Sequence, residues 1–158
     1  MTSESVDDLS YKLYGITRYA KSMENCSNSG NITIENTEKN DPEYGPALTA
    51  CGVVEKCIQK ITGCSNTGKI SGKGKTIYKG EIAGNAGYSY LDGVTVYDNY
   101  YTGSGKKSGS ESTSWKPYQS KAKKVSSITF GNCSKLSSKY WTYSNKHKRL
   151  ILKNNKEA

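Results

Sequence analysis

The side chains able to do acid–base or nucleophilic chemistry are few and poorly grouped. A single histidine, His147, sits in the cationic run Lys146-His147-Lys148-Arg149, and any Ser-His-Asp or Cys-His engine has to use it. The five cysteines at 26, 51, 57, 64 and 133 lack the paired CxxC spacing of a zinc site, so neither a metal nor another cofactor is expected. Five is odd, which leaves at least one thiol free or shared between chains. The run Gly68-Lys69-Ile70-Ser71-Gly72-Lys73-Gly74-Lys75-Thr76 superficially matches a phosphate-binding loop. Lys69 stands where that motif requires glycine, however, and neither a preceding hydrophobic strand nor a following helix is present. Asp92 and Asp98 flank a tyrosine-rich stretch and suit a glycan-cleaving pair or a calcium site, although Asp92-Gly93 serves equally as a turn. The chain reads as non-catalytic, with a β-helix polysaccharide lyase or hydrolase as a secondary alternative.

Binding chemistry is better represented. The net charge of +9 comes from 21 lysines and only two arginines, Arg18 and Arg149. Such an excess attracts anionic polymers, whether anionic glycans or nucleic acid, through non-specific electrostatics. The scarcity of arginine argues against base recognition, which needs its bidentate fork. Tyr88, Tyr90, Tyr97, Tyr100 and Tyr101, with Trp115 nearby, form a candidate ligand-binding platform on which sugars of host or cell-wall glycans would stack. Inward packing of the same rings is the competing reading.

These groups must be positioned by a repeat. Cys64-Ser65-Asn66-Thr67-Gly68-Lys69-Ile70-Ser71 restates Cys26-Ser27-Asn28-Ser29-Gly30-Asn31-Ile32-Thr33 at one fixed offset (64 minus 26), with five identities and two Ser/Thr exchanges. Self-similarity at such a period marks a repeat architecture. The Ser-Asn-Ser/Thr-Gly run disfavours helix and reads as a turn, with Asn and Gly taking positive φ. Cys26, Asn28, Gly30, Cys64, Asn66 and Gly68 are therefore the repeat corner, and Ile32 and Ile70 open short strands. Gly15-Ile16-Thr17 leads into Cys26 as Gly52-Val53-Val54 leads into Cys64, the second approach being longer by one (26 minus 15 against 64 minus 52). A weaker third copy runs through Glu81-Ile82-Ala83-Gly84 and, after an insertion, Val94 to Gly103. One copy cannot bury its apolar face alone, so copies must stack, placing Ile32 over Ile70 and Asn28 over Asn66. The same stacking brings Cys26 and Cys64 to disulfide distance, with two small buried thiols as the alternative.

With these residues in hand, the chain resembles the GLUG-motif repeats of bacterial surface and secreted proteins. Ile61-Thr62-Gly63-Cys64-Ser65-Asn66-Thr67-Gly68-Lys69-Ile70 matches the turn half of that pattern, and Gly80-Glu81-Ile82-Ala83-Gly84 its strand half loosely. Tyr140-Trp141-Thr142-Tyr143-Ser144 followed by Arg149-Leu150-Ile151-Leu152-Lys153 is similar to the strands that close such arrays. Thr17-Arg18 and Val54-Glu55 depart from it by replacing small residues, as does Cys51 at a usual glycine. The resemblance implies an extracellular or bacterial cell-surface location, an adhesive role and neighbouring repeats in a longer parent chain.

The expected architecture is one all-β domain over residues 1–158, a short parallel β-solenoid of two to four coils with irregular C-terminal closing strands. Residues 1–14 read as an N-terminal cap, 15–110 as repeat coils, and 111–158 as a C-terminal loop with closing strands from Val125 to Phe130 and Trp141 to Leu152. The ambiguous stretch is 47–62, where Ala47, Ala50, Cys51, Val54, Cys57, Ile58 and Ile61 recur at helical spacing. A helix at about 47–62 would make the fold α+β. Two short strands are preferred, because Gly52 interrupts the centre. No apolar run approaches the ~18 residues of a transmembrane segment, and the polar, acidic start is no signal peptide, so the chain is read as a fragment.

Overall fold

The computed structural model describes residues 12–35, 48–73, 77–83, 95–108 and 122–155. Its strands, in chain order, are β1 (Lys12–Tyr14), β2 (Thr17–Glu24), β3 (Ser27–Asn28), β4 (Ile32–Glu35), β5 (Leu48–Cys51), β6 (Val54–Thr62), β7 (Ser65–Asn66) and β8 (Ile70–Lys73). They continue as β9 (Ile77–Ala83), β10 (Thr95–Tyr97), β11 (Asn99–Tyr101), β12 (Lys106–Ser108), β13 (Ala122–Lys124), β14 (Trp141–Ser144) and β15 (Arg149–Leu152). The fold is all-β, and among the described residues there is no helix.

Among the described residues, all pairing except the last hairpin is parallel. The strands of residues 12–35 form a first tier and lie on those of residues 48–73, with Lys12 opposite Thr49, Thr17 opposite Val54, Ser27 opposite Ser65 and Ile32 opposite Ile70. The offset grows by one along the way, from 49 minus 12 at the start to 65 minus 27 at the corner. The slip occurs between Ala20–Cys57 and Ser22–Lys60, where β6 is one position longer than β2. That bulge is the reason Gly52 stands one position further from Cys64 than Gly15 does from Cys26. A third tier follows with Ile77 opposite Leu48, Thr95 opposite Lys60 and Tyr100 opposite Ser65, and a fourth with Lys106 opposite Gly80 and Ala122 opposite Asn99.

Residues 48–62 form the two strands preferred over a helix, so the α+β alternative falls. Apolar residues four apart share a side in either period, so the spacing could not decide; the parallel partners β2, β9 and β10 around β6 do. Other expectations are corrected. Within the tiers, positive φ falls at Asn25 (50°), Gly63 (62°) and Asp98 (55°), one position before the corner motif rather than within it; Lys148 (51°) is in the closing hairpin. These three stack, since Glu24 and Tyr97 both pair with Thr62. Lys12–Tyr14 already belongs to the first tier, so the cap expected over 1–14 overlaps it, and residues 1–11 lie outside the described set. The strand expected at Val125–Phe130 is instead Ala122–Lys124, and the chain after it turns repeatedly up to Trp141.

Two cores result. Val53, Val54, Cys57, Ile61, Cys64, Ile82, Val96 and Tyr101 pack between the tiers. Tyr100, Val125, Ile128, Cys133, Leu136, Trp141 and Leu150 pack beneath the antiparallel β14–β15 hairpin, in which Trp141 faces Leu152. Adjacent residues of β11 thus serve different cores, as strand alternation dictates.

Candidate functional site

The most constrained polar feature is the column along the corner. Asn28 is buried, and its Nδ2 donates to Asn66 Oδ1 at 2.9 Å; Asn66 Nδ2 in turn donates to Glu81 Oε2 at 2.8 Å. Each asparagine also closes its own turn, with Oδ1 accepting from the backbone N–H two residues on, Gly30 or Gly68, at 3.2 Å. Asn is suited to this because one side chain carries both an acceptor and two donors. The column fits because Gly15 and Gly52 lie beside it. A Cβ on Gly52 would stand 2.5 Å from Asn66 Cγ and collide with the Glu81 carbonyl oxygen; one on Gly15 would stand 2.7 Å from Asn28 Cγ.

The third tier inverts this arrangement. By register Glu81 occupies the Gly15–Gly52 position (Cys51 pairs with Gly80, Val54 with Ala83), while Tyr101 pairs with Asn66 and so occupies the Asn28–Asn66 position. The glycine has become a carboxylate and the asparagine an aromatic ring. The Glu81 side chain reaches into the space an asparagine would have filled. It takes the hydrogen bond from Asn66 and a second, at 2.7 Å, from Gly105 N–H to Oε1. A Cβ on Gly103 or Gly105 would run into that carboxylate, so either substitution must push the Glu81 side chain aside.

A second column runs through Cys26, Cys64, Asn99 and Ala122. Cys26 and Cys64 are free thiols in register, and Asn99 holds the third tier by accepting from Cys64 N–H and donating to Ile61 O, both at 2.9 Å. The Cys26 thiol is lowered to about 7 by its hydrogen bond with Cys64, whose own thiol is pushed well up by that contact and by burial. Arg18 and Glu55, which replace small residues at consecutive positions of another column, face each other across the tiers at 3.1 Å.

The remaining candidates are placed as follows. Tyr100 and Tyr101 are 4% and 6% exposed, so they are core residues and not a sugar-stacking surface. Tyr97 is half-buried, and Tyr88, Tyr90, Trp115 and Asp92 lie outside the described residues. Asp98 serves as a left-handed turn residue stacked on Gly63. His147 is exposed in the turn between β14 and β15, its N–H donating to Ser144 Oγ. Among the described residues no group of three His, Cys, Asp or Glu could hold a metal ion, and no helix is long and apolar enough to cross a membrane.

No known family model, curated protein or solved structure matches the chain. The functional reading therefore rests on its own surface, and there one region stands apart. Residues 122–155 carry Lys123, Lys124, Lys135, Lys139, Lys146, Lys148, Arg149 and Lys153 and no acidic residue. The seven lysines are exposed, as are the aromatic rings of Phe130, Tyr140 and Tyr143, with Lys139 Nζ 5.2 Å from the Tyr140 ring centre. Net charge read over the whole chain does not reveal this segregation; counting charge by segment would have. Glu81 likewise escapes a reading by residue type, although its clue is present as two departures at once, Glu for Gly and Tyr for Asn, in the third copy.

Proposed function

We propose that this chain is a non-catalytic structural and adhesive segment of a bacterial cell-surface or secreted protein, built as a short parallel β-solenoid of GLUG-like repeats. The supporting observation is the register shared from tier to tier at the corner. Ser27 on Ser65, Asn28 on Asn66 and Ile32 on Ile70 are spaced as a repeating scaffold requires, and they spend their polar groups on one another. Host or cell-wall glycans are the ligands of this reading. Its contact residues are the exposed Phe130, Tyr140 and Tyr143 of the closing region, since Tyr100 and Tyr101 are buried. The test is retention of the purified chain on immobilised glycans in low and high salt. Stacking on sugars persists at high salt, and loss of that retention in a Tyr140→Ala/Tyr143→Ala variant supports the assignment. Retention unchanged in the variant, or no retention on any glycan, overturns it.

A second reading is favoured by the acid-free charge of residues 122–155: a lysine-driven module for anionic polymers. Its signature is the opposite salt response, with binding to heparin-like or teichoic-acid-like chains falling steeply between about 50 and 200 mM salt.

A further inference from the structure

Cys26 and Cys64 are consecutive members of one column. Asn25 N–H donates to Thr62 O at 3.1 Å and Ser65 N–H donates to Cys26 O at 2.8 Å, which fixes the two cysteines directly across a parallel step. That step is about 4.8 Å between strands, inside the roughly 4.4–6.8 Å that a disulfide spans between Cα atoms. Each sulfur also lies 3.4 Å from the carbonyl oxygen two residues before it, Glu24 or Thr62, so both side chains turn the same way, and one thiol hydrogen-bonds the other. Their surroundings differ. Cys26 is half-buried and reachable from solvent, whereas Cys64 is fully buried. Column and core offer few competitors: the third tier has Asn99 instead of a thiol, Cys57 donates to Lys60 O and Lys21 O, Cys51 to Leu13 O, and Cys133 belongs to the other core.

We propose that Cys26 and Cys64 form a dithiol site that closes into an inter-tier disulfide by exchange with a low-molecular-weight disulfide such as oxidised glutathione. The Cys26 thiolate attacks one sulfur of the small disulfide, forming a mixed disulfide and expelling one thiolate. Cys64 then gives up its proton and attacks the Cys26 sulfur, expelling the second thiolate. In balance, two protein thiols become one disulfide and the small disulfide becomes two thiols. The more acidic, reachable Cys26 suits the attacking role, and the buried partner suits the resolving one. The closed bond ties the first tier, whose four strands pair on one side only among the described residues, to the second.

The test is equilibration of the full chain in glutathione buffers of graded potential, followed by alkylation and peptide mass mapping. The expected product has lost two hydrogen atoms, joins the Cys26 and Cys64 peptides, raises Tm by about 5–10 °C and is reversed by dithiothreitol. Cys64→Ser should stall as a stable glutathione adduct on Cys26, and Cys57→Ala should leave the cross-link intact. A bond joining Cys57 to Cys64, a glutathione adduct that persists on Cys26 in the unaltered chain, or a Cys26 that stays reduced throughout would each overturn the proposal.

Discussion

In the tiers, Val54 pairs with Thr17 on one side and Ala83 on the other, both far from it along the chain; in the closing hairpin, Tyr143 pairs with Leu150 just across a turn. The tiers depend on long-range register, and each side chain there is confined by the residue above and below it. Small residues are consequently required at set points, above all at Gly52, where a Cβ would meet the Glu81 carbonyl oxygen as well as Asn66. The closing region is local and builds its core from large side chains, Trp141, Leu136, Ile128 and Leu150, free of the tier spacing. β11 joins the two, sending Tyr101 into one core and Tyr100 into the other, where its hydroxyl accepts from Lys135 N–H at 3.2 Å. A stacked architecture tolerates a change at one level only if another change at the same level compensates. A locally folded region does not carry that requirement.

The sharpest way to break this contrast is to add one methyl group in each region. Gly52→Ala must displace the Glu81 carbonyl or Asn66 and should cost about 3 kcal/mol or more, while Gly131→Ala, whose nearest neighbour is Thr129 Oγ1 at 4.0 Å, should change stability by less than about 0.5 kcal/mol. Urea unfolding of both variants measures the difference, and equal costs would refute the tier constraint.

The compensated third tier is tested by a double-mutant cycle. Glu81→Gly strips Gly105 N–H of its acceptor, leaves Asn66 Nδ2 only the Gly68 carbonyl at 3.3 Å, and should cost about 2–3 kcal/mol. Adding Tyr101→Asn restores the pattern of the first two tiers and should recover about 1–2 kcal/mol of it through coupling. Strict additivity would show that the two positions do not exchange roles.

Within the column, position along the stack should matter. Asn66→Ala leaves partners unsatisfied on both sides and should cost about 2–3 kcal/mol, against about 1 kcal/mol for Asn28→Ala at the first tier. Equal melting points for the two variants would contradict this.

The smallest effect is alkaline. Burial raises the Tyr101 hydroxyl above its ordinary value of 10.0, so it ionises first in the unfolded chain. The unfolded state then holds fewer protons, and stability falls as pH rises from about 10 toward the folded value. Tyr101→Phe should flatten that decline between about pH 9 and 11; an unchanged slope would place the titration elsewhere.

Much of the stacking is legible in residue types alone. The restated Cys-Ser-Asn-x-Gly-x-Ile run forecasts which residues pair, and the unequal approaches to Cys26 and Cys64 already contain the bulge in β6. The candidate site is less legible. Tyr97, Tyr100 and Tyr101 look alike as a sequence cluster, yet only the tier register reveals that Tyr101 replaces a buried asparagine. The left-handed positions also fall just before the corner motif instead of on the Asn and Gly within it. Asn and Gly have the freedom for positive φ wherever they occur, and only the path of the chain selects Asn25 and Gly63 over Asn28 and Gly30.

What the sequence determined by itself was pairing, because a stack of parallel strands aligns like with like and a repeat in residue type becomes a repeat in register. Only the tertiary structure decided what happens where the repeat lapses. Whether Glu81 meets solvent or an asparagine, and whether Cys26 meets water or Cys64, depends on groups remote in the chain arriving one strand spacing above or below. No local pattern carries that distance.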